Sequence, residues 1–368
     1  MAEAFEVPFL DLKPAYAELK EPIDAALHRV LDRNWYLLGE ELGAFEAEFA
    51  AYLAVPHAVG VANGLDALTL ALQALGVGPG DEVLVPSYTF IATWLAVSGL
   101  GAIPVPVDVR PGTLNLDPEL LESALSPRCK AVVPVHLCGQ PADLDAVLDF
   151  ARRHRLLVVE DAAQAHGAVY KGRRIGAHGD AVAWSFYPGK NLGAFADGGA
   201  VTTARGDVAE RVRILRNYGS REKYQHSAKG RNSRLGELQA AVLRAKLPHL
   251  DAWNGRRAQV AEQYARGLRG VDRLVLPEVP GGGRVWHLFI VRHPLRDGLL
   301  DHLASRGVQA QIHYPVPPHL SGAYAADRVW PPLAVAETAA QSCLSLPMGP
   351  HLSPAQVEQV ITAVRSFH

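Results

Sequence analysis

The sequence predicts an α/β fold, with a large, mostly parallel sheet wrapped by helices and a smaller α+β domain behind it. Three observations carry this. Between residues 57 and 203, short strand-like runs alternate with helical patterns, as parallel strands joined by crossover helices require. Runs such as LLVV (156–159) and AVVPV (131–135) hold no polar residue, which suits strands buried on both faces. After about residue 204 the alternation gives way to longer helices and a tail of mixed elements.

In order along the chain, Tyr16–Arg33 reads as an amphipathic helix with Leu19, Ile23, Leu27, Val30 and Leu31 on one face. Gly43–Leu53 is a second helix. The alternation then begins, with strand His57–Val61 and helix Leu65–Leu75, whose Leu65, Leu68, Leu72 and Leu75 form one stripe. Strands Glu82–Pro86, Ala102–Val107, Ala131–Pro134 and Leu156–Glu160 follow, separated by helices Ile91–Ser98, Asp117–Leu125 and Leu144–His154. Pro118 fits the first turn of its helix. Ala181–Phe186 and Ala200–Thr203 complete the sheet. Val208–Arg216, Gly236–Leu247 and Trp253–Leu268 read as helices. Pro277, Pro280 and Gly281–Gly283 mark a linker region. Strand Trp286–Arg292, helix Asp297–Arg306, strand Gln309–His313 and a Pro-rich loop to Pro332 come next. A helix capped by Ser353-Pro354 closes the chain.

With 368 residues, about two domains are expected at roughly 150 residues each. The division is placed at 1–250 for the large domain and 251–368 for the small one. A formal charge of −2 excludes a polybasic nucleic-acid binder as a whole-chain reading. Three cysteines make no disulfide framework, so a reducing cytoplasm is the expected compartment. The acidic start MAEAFEVPFLDLKP does not read as a signal peptide. The charge-free run Val83–Val107 is long enough to cross a bilayer, but Pro86, Gly99, Gly101, Pro104 and Pro106 break any continuous helix. It is expected to be strand, short helix and strand, all buried.

Three features could carry chemistry. In WSFYPGKN (184–191) a buried strand meets a tight Pro-Gly turn, and Lys190 follows at once. A lysine in a water-poor cleft has a lowered pKa and attacks carbonyls; a loop lysine reaching solvent is the ordinary alternative. In LVVEDAAQAHG (157–167), Asp161 stands at the carboxyl end of a buried strand, where open α/β sheets place ligands; it reads equally as a turn cap. In VGVANGLDAL (59–68) a strand enters a helix through Asn63-Gly64, so first-turn amides and a glycine offer an anion site, or an ordinary turn. No P-loop or dinucleotide fingerprint accompanies it. Together, a phosphate cradle, a lysine and a carboxylate fit a phosphate-bearing aldehyde cofactor whose ring nitrogen pairs with the carboxylate.

The pieces ANGLDAL, VPSYTFIATWLAV, VEDAAQAHGA, SFYPGKNLGAFADGGAV and GRNSRLGELQAAVLRAKL occur in the order seen in one family. From VPFLDL to LSLPMGPHLS, the chain resembles the DegT-type nucleotide-sugar aminotransferases. These are pyridoxal 5'-phosphate enzymes of the aspartate-aminotransferase-like fold, fold type I. The resemblance implies that Lys190 attaches the cofactor and moves the proton during amino transfer, while Asp161 pairs with the ring nitrogen. Gln164 would face the ring hydroxyl and Phe90 would stack on the ring. The Gly64 and Leu65 amides and the Ser185 hydroxyl would hold the phosphate. Asn232 would reach the phosphate of a neighbouring subunit, making the active unit a homodimer with shared sites. Family members that act as dehydratases carry histidine in place of the lysine, so Lys190 favours amino transfer.

The spellings GLDAL and SFYPGKN look most like the branch that aminates C3 of a dTDP-linked 3-keto-6-deoxyhexose, with L-glutamate as donor. By that likeness Tyr187, Lys223, His313 and Tyr314 would line the sugar-nucleotide pocket, or be ordinary loop polarity. A C4-directed aminotransferase of the perosamine type and a non-catalytic regulatory protein of the same fold are the alternatives. Residues 211–234 hold eight Lys/Arg against Glu222, either a solvated face or a patch for a nucleotide diphosphate. His136 and Cys138 lack a second pair for zinc, so no metal is expected. Ser185, His166 and Asp161 suggest a hydrolase triad only weakly, because the Gly-x-Ser-x-Gly elbow is missing.

Overall fold

The computed structural model describes residues 5–278, 283–327 and 329–368. Pro280, Gly281 and Gly282 of the expected linker lie outside the described residues. The first expected helix is two, Lys13–Glu18 and α1 (Lys20–Arg33), because Leu19 leaves the helical region at φ −116°, ψ 24°. Then follow α2 (Glu40–Leu53), β1 (His57–Val61), α3 (Gly64–Ala74), β2 (Glu82–Pro86), α4 (Ala92–Ser98) and β3 (Ile103–Val107). The expected helix over Asp117–Leu125 is only a 3₁₀ turn, Pro118–Leu120, and one α turn, Leu121–Ala124. Next come β4 (Cys129–Val132), α5 (Leu144–His154), β5 (Leu157–Asp161), β6 (Ala181–Ser185) and β7 (Gly199–Thr203).

These seven strands form one sheet in the order β1-β7-β6-β5-β4-β2-β3. All neighbours from β6 to β3 are parallel, and β7 alone runs against both β6 and β1. Its strands are almost wholly buried, which is why the sequence shows apolar runs rather than alternation. One apolar core joins Val59, Val61, Leu68, Val83, Val85 and Trp94; another joins Phe45, Phe49, Trp184 and Phe186. The charge-free run 83–107 is β2, α4 and β3. Among the described residues no helix is long and apolar enough to cross a membrane.

Beyond the sheet lie α6 (Gly206–Leu215), a small hairpin of β8 (Ser220–Glu222) and β9 (Gln225–His226), α7 (Glu237–Lys246) and α8 (Leu250–Gly267). β10 (Phe289–Arg292), α9 (Arg296–Ser305), α10 (Ala334–Ser342), β11 (Cys343–Leu346) and α11 (Pro354–Arg365) complete the chain. β10 starts three residues later than expected, since Trp286 has a left-handed φ of 48° that no strand accommodates. The expected strand Gln309–His313 does not form. Gln311 makes a single bridge to Ser345, and the backbone of His313 and Tyr314 then bonds to the Tyr88 hydroxyl instead of a ladder. β10 pairs antiparallel with β11, and their core gathers Val260, Tyr264, Phe289, Leu303, Leu344, Val360 and also Val7.

Candidate active site

β1, β2, β5 and β6 run in one direction, so their carboxyl ends share an edge. Every candidate group of the large sheet stands on that edge, where crevices of open α/β sheets form.

After β1, Asn63 caps α3 by accepting from the Asp66 amide at 2.8 Å. The Gly64 and Leu65 amides have no acceptor within the helix, and the positive end of the helix dipole adds to them. Gly199 of β7 is paired with both Val61 of β1 and Ser185 of β6, which draws Ser185 onto the helix start. A Cβ built on Gly64 would stand 2.6 Å from Ser185 Cβ and 3.2 Å from its Oγ, so only glycine fits. Ser233 accepts from the Ala62 amide at 3.1 Å and closes the segment 231–234 against the same turn.

Asp161 ends β5 and is 7% exposed. Its Oδ2 accepts from the Thr93 hydroxyl at 2.8 Å and its Oδ1 from the Ala163 amide at 3.2 Å. Burial pushes its pKa above the usual carboxylate value, and these two donors with the Lys190 charge offset only part of that rise. Gln164 Oε1 accepts from the Cys138 amide at 2.6 Å, and its amide nitrogen donates to Tyr314 Oη at 3.0 Å. Phe90, after β2, is half exposed, with its ring 5.6 Å from that of Tyr314.

Lys190 follows β6 on a curled turn. Its amide donates to Tyr187 O at 2.8 Å. Burial of the amino group lowers its pKa to about 8, against the opposing pull of Asp161. The turn is tied down from three sides. The Asn191 amide donates to Asn254 Oδ1 and Val285 O, both at 2.9 Å, and its oxygen meets His287 Nδ1 at 3.0 Å. Lys246 donates to Gly193 O at 2.7 Å, and Gln239 accepts from the Phe195 and Ala196 amides. Three histidines stand near Lys190, and burial lowers each first: His166 to about 3, His313 to about 4, and His287 well below the usual range.

The structure thus brings Gly64, Leu65, Ser185, Phe90, Asp161, Gln164, Lys190, His313 and Tyr314 to one region. Tyr187 stands at its rim, largely exposed. Asn232 is exposed and pairs with Asn217 through the backbone. Lys223 lies on the exposed β8–β9 hairpin, its Nζ 5.1 Å from the Tyr224 ring. Of the basic segment, Arg216 and Arg221 are already paired with Glu46 and Glu210. Among the described residues no side chain hydrogen-bonds to either ring nitrogen of His166, so Ser185, His166 and Asp161 do not form a Ser–His–Asp relay there. His136 uses both nitrogens, on Glu160 Oε2 and the Ala142 amide, each at 3.0 Å. Among the described residues no three His, Cys, Asp or Glu side chains group to hold a metal ion. Sequence reading missed Thr93, Asn191 and His287. Thr93 and Asn191 lie inside the quoted pieces, but only the fold shows what they touch.

A half-buried lysine and a buried carboxylate thus share one edge of the α/β sheet with a helix start whose glycine lies against Ser185. Residues 17–365 match the DegT/DnrJ/EryC1/StrS aminotransferase family, and the chain belongs to it. It is 59% identical to the dTDP-3-amino-3,4,6-trideoxy-alpha-D-glucose transaminase of Streptomyces venezuelae, over 100% of this chain and 97% of that protein. It is 56% identical to the erythromycin biosynthesis sensory transduction protein EryC1 of Saccharopolyspora erythraea, over 98% and 99% of the two chains. The crystal structure of S. venezuelae DesV in complex with a ketimine intermediate superposes with a TM-score of 0.95, at 59% identity over 98% and 97% of the chains. A Bacillus subtilis structure with bound cofactor PMP gives 0.91, at 30% identity over 98% and 85%.

Proposed function

We propose that this chain is a pyridoxal-phosphate-dependent aminotransferase that moves an amino group from L-glutamate to C3 of a dTDP-linked 3-keto-6-deoxyhexose. The carrying observation is the convergence of Lys190, Asp161 and the Gly64–Ser185 cradle on one sheet edge. The 59% identity to a 3-amino-sugar transaminase supports the regiochemistry and the nucleotide.

The residues fit the cofactor. Gly64 leaves open backbone where a Cβ would meet Ser185, and the adjacent amides and hydroxyl all donate, as a phosphate dianion requires. Asp161, accepting from two donors, keeps acceptor capacity for a ring N–H. When bound, pyridoxal phosphate carries the amino group from donor to acceptor and stores the electrons released at the carbon that loses its proton. The chain's residues do the rest. Lys190 Nζ, near the midpoint of its titration at about 8, takes up and returns a proton at the reacting carbon. Gln164 holds the ring hydroxyl, Phe90 covers one ring face, and Gly64, Leu65 and Ser185 bind phosphate oxygens. Asn232 reaches the phosphate site of a second copy, so the active unit is a homodimer in the cytoplasm. Tyr187, Lys223, His313 and Tyr314 line the sugar-nucleotide pocket. The large domain spans 1–250 and the small one 251–368.

The test incubates purified protein with pyridoxal phosphate, L-glutamate and, in parallel reactions, a dTDP-3-keto- and a dTDP-4-keto-6-deoxyhexose, and reads the product by NMR. An amino group at C3 is expected; amination at C4 of a 4-keto-sugar instead would reverse the regiochemistry. Borohydride should fix the cofactor on Lys190, seen by peptide mass spectrometry. The likeness to a protein named for sensory transduction favours a second reading, a non-catalytic protein of the same fold. Cofactor bound without any product would support it.

A further inference from the structure

We propose that Thr93, backed by Thr89, is a positioning residue that holds the Asp161 carboxyl ionised and fixed in direction for the cofactor's ring nitrogen. The proposal rests on the pyridoxal phosphate reading above.

Asp161 is nearly inaccessible, and burial of a carboxyl favours its neutral form. A neutral acid with its proton in place cannot serve as the carboxylate partner of a protonated ring. Something must offset that tendency, and no arginine hydrogen-bonds to Asp161 among the described residues. The Thr93 hydroxyl is the closest donor, at 2.8 Å from Oδ2. Thr93 Oγ1 lies 3.0 Å from Thr89 Oγ1. Both threonines are buried, at 1% and 2% exposure, so water does not compete for these groups.

Each hydroxyl has one proton. With Asp161 ionised, Thr93 spends its proton on Oδ2, and its oxygen accepts the proton of Thr89. The direction of the relay is then fixed from Thr89 to Thr93 to Asp161. A proton added to Oδ2 would reverse both bonds, Asp161 donating to Thr93 and Thr93 to Thr89, and would exchange a charge-assisted hydrogen bond for a neutral one of about half the strength. The relay therefore opposes protonation of Asp161. The Ala163 amide fixes the other oxygen, so the carboxylate plane is set by two donors on different elements. Thr89 immediately precedes Phe90 after β2, and Thr93 stands three residues beyond Phe90 in the first turn of α4. One short stretch thus sets both the ring-facing aromatic and the charge that answers the ring nitrogen.

The test uses apoprotein titrated with pyridoxal phosphate carrying ¹⁵N in its ring. Thr93→Val removes the hydroxyl and keeps the shape. It should weaken cofactor binding by roughly 10- to 100-fold, the range for a hydrogen bond to a charged group. The ring ¹⁵N signal should lose its proton at a pH lower by about one unit or more. Thr93→Ser keeps the hydroxyl and should restore both readouts. Thr89→Val should shift the ¹⁵N titration in the same direction by less. A Thr93→Val protein with the wild-type ¹⁵N titration overturns the proposal, as does Thr93→Ser being as impaired as Thr93→Val, which would mean packing alone. If Thr93→Val does not fold, Thr89→Val decides, and an unshifted titration there overturns the relay. Wild-type protein that binds no pyridoxal phosphate overturns the cofactor reading and the relay with it.

Discussion

Replacing Gly64 by alanine tests whether the cradle works by close approach. The added Cβ would meet Ser185 Cβ at 2.6 Å and its backbone Cα at 3.3 Å, against ordinary contacts of 3.4–4 Å. Rotating the serine side chain does not relieve this, because the clash involves Cβ and Cα. Ser185 is held in β6 by its pairing to Gly199, so the start of α3 must yield by about 1 Å to restore ordinary contact. A donor–acceptor distance near 2.9 Å would then open beyond hydrogen-bonding range. Losing one amide bond to a charged phosphate corresponds to roughly 10- to 100-fold in affinity. Overpacking adds a stability cost of about 1–3 kcal/mol. Gly43→Ala is the internal control. Nothing lies within 4 Å of its Cβ position inside α2, so the same substitution should gain about 0.5–1 kcal/mol and leave binding unchanged. Titration of both apoproteins with pyridoxal phosphate, beside urea unfolding, separates the two effects. A folded Gly64→Ala protein that binds as tightly as wild type would refute the reasoning.

Four further outcomes follow from the geometry. The rate at which apoprotein captures pyridoxal phosphate should rise about tenfold per pH unit and level off above about 8, as Lys190 loses its proton; a half-maximum near 10.5 would contradict the burial argument. Asn191→Ala removes three buried contacts of the lysine turn and should cost about 1–3 kcal/mol in unfolding while lowering kcat more than it raises KM. Reversing the charges of Lys223 and Arg231 should raise KM for the sugar nucleotide; an unchanged KM would remove them from the pocket. His166 titrates at about 3 when folded, so between pH 6.5 and 3 the unfolded chain binds the extra proton and stability falls with pH. At pH 5 the loss from this one group is about 2 kcal/mol, and His166→Phe should flatten the urea-measured slope between pH 7 and 5.

The sheet was legible because its strands are short, mostly apolar and separated by helical stripes. β1 and β2 match their expected bounds to the residue. The candidate lysine, carboxylate and cradle were legible because each sits where a strand ends. What was not legible depends on tertiary partners. The strand expected at Gln309–His313 has strand-like composition, but Tyr88 captures its backbone. α10 and β11 follow a proline-rich stretch that hides their periodicity. Thr93 reads as one polar residue in an apolar helix until β5 brings Asp161 beside it. Asn191 reads as a turn residue until Val285 and His287 arrive from about 95 positions away. Asn232 and Lys223 stay exposed in a single chain, and their expected roles need a second copy or the nucleotide.

The histidines explain why Lys190 can act as the basic group of this cleft. His166, His287 and His313 all lie close enough to feel the Lys190 charge, and each is already neutral from burial. Basic groups in one cleft compete for the same proton, and the one that holds it best suppresses the others. Lys190 at about 8 outranks His166 at about 3 and His313 at about 4 by several units. A proton entering near neutral pH therefore resides on Lys190 Nζ and not on an imidazole. The Asp161 charge keeps Lys190 from falling further, because a neighbouring carboxylate favours the charged ammonium against burial. The reverse also holds, because Lys190 helps to keep Asp161 ionised. Acid and base are thus one coupled pair, and a change that neutralises either partner alters the proton affinity of the other before any substrate arrives.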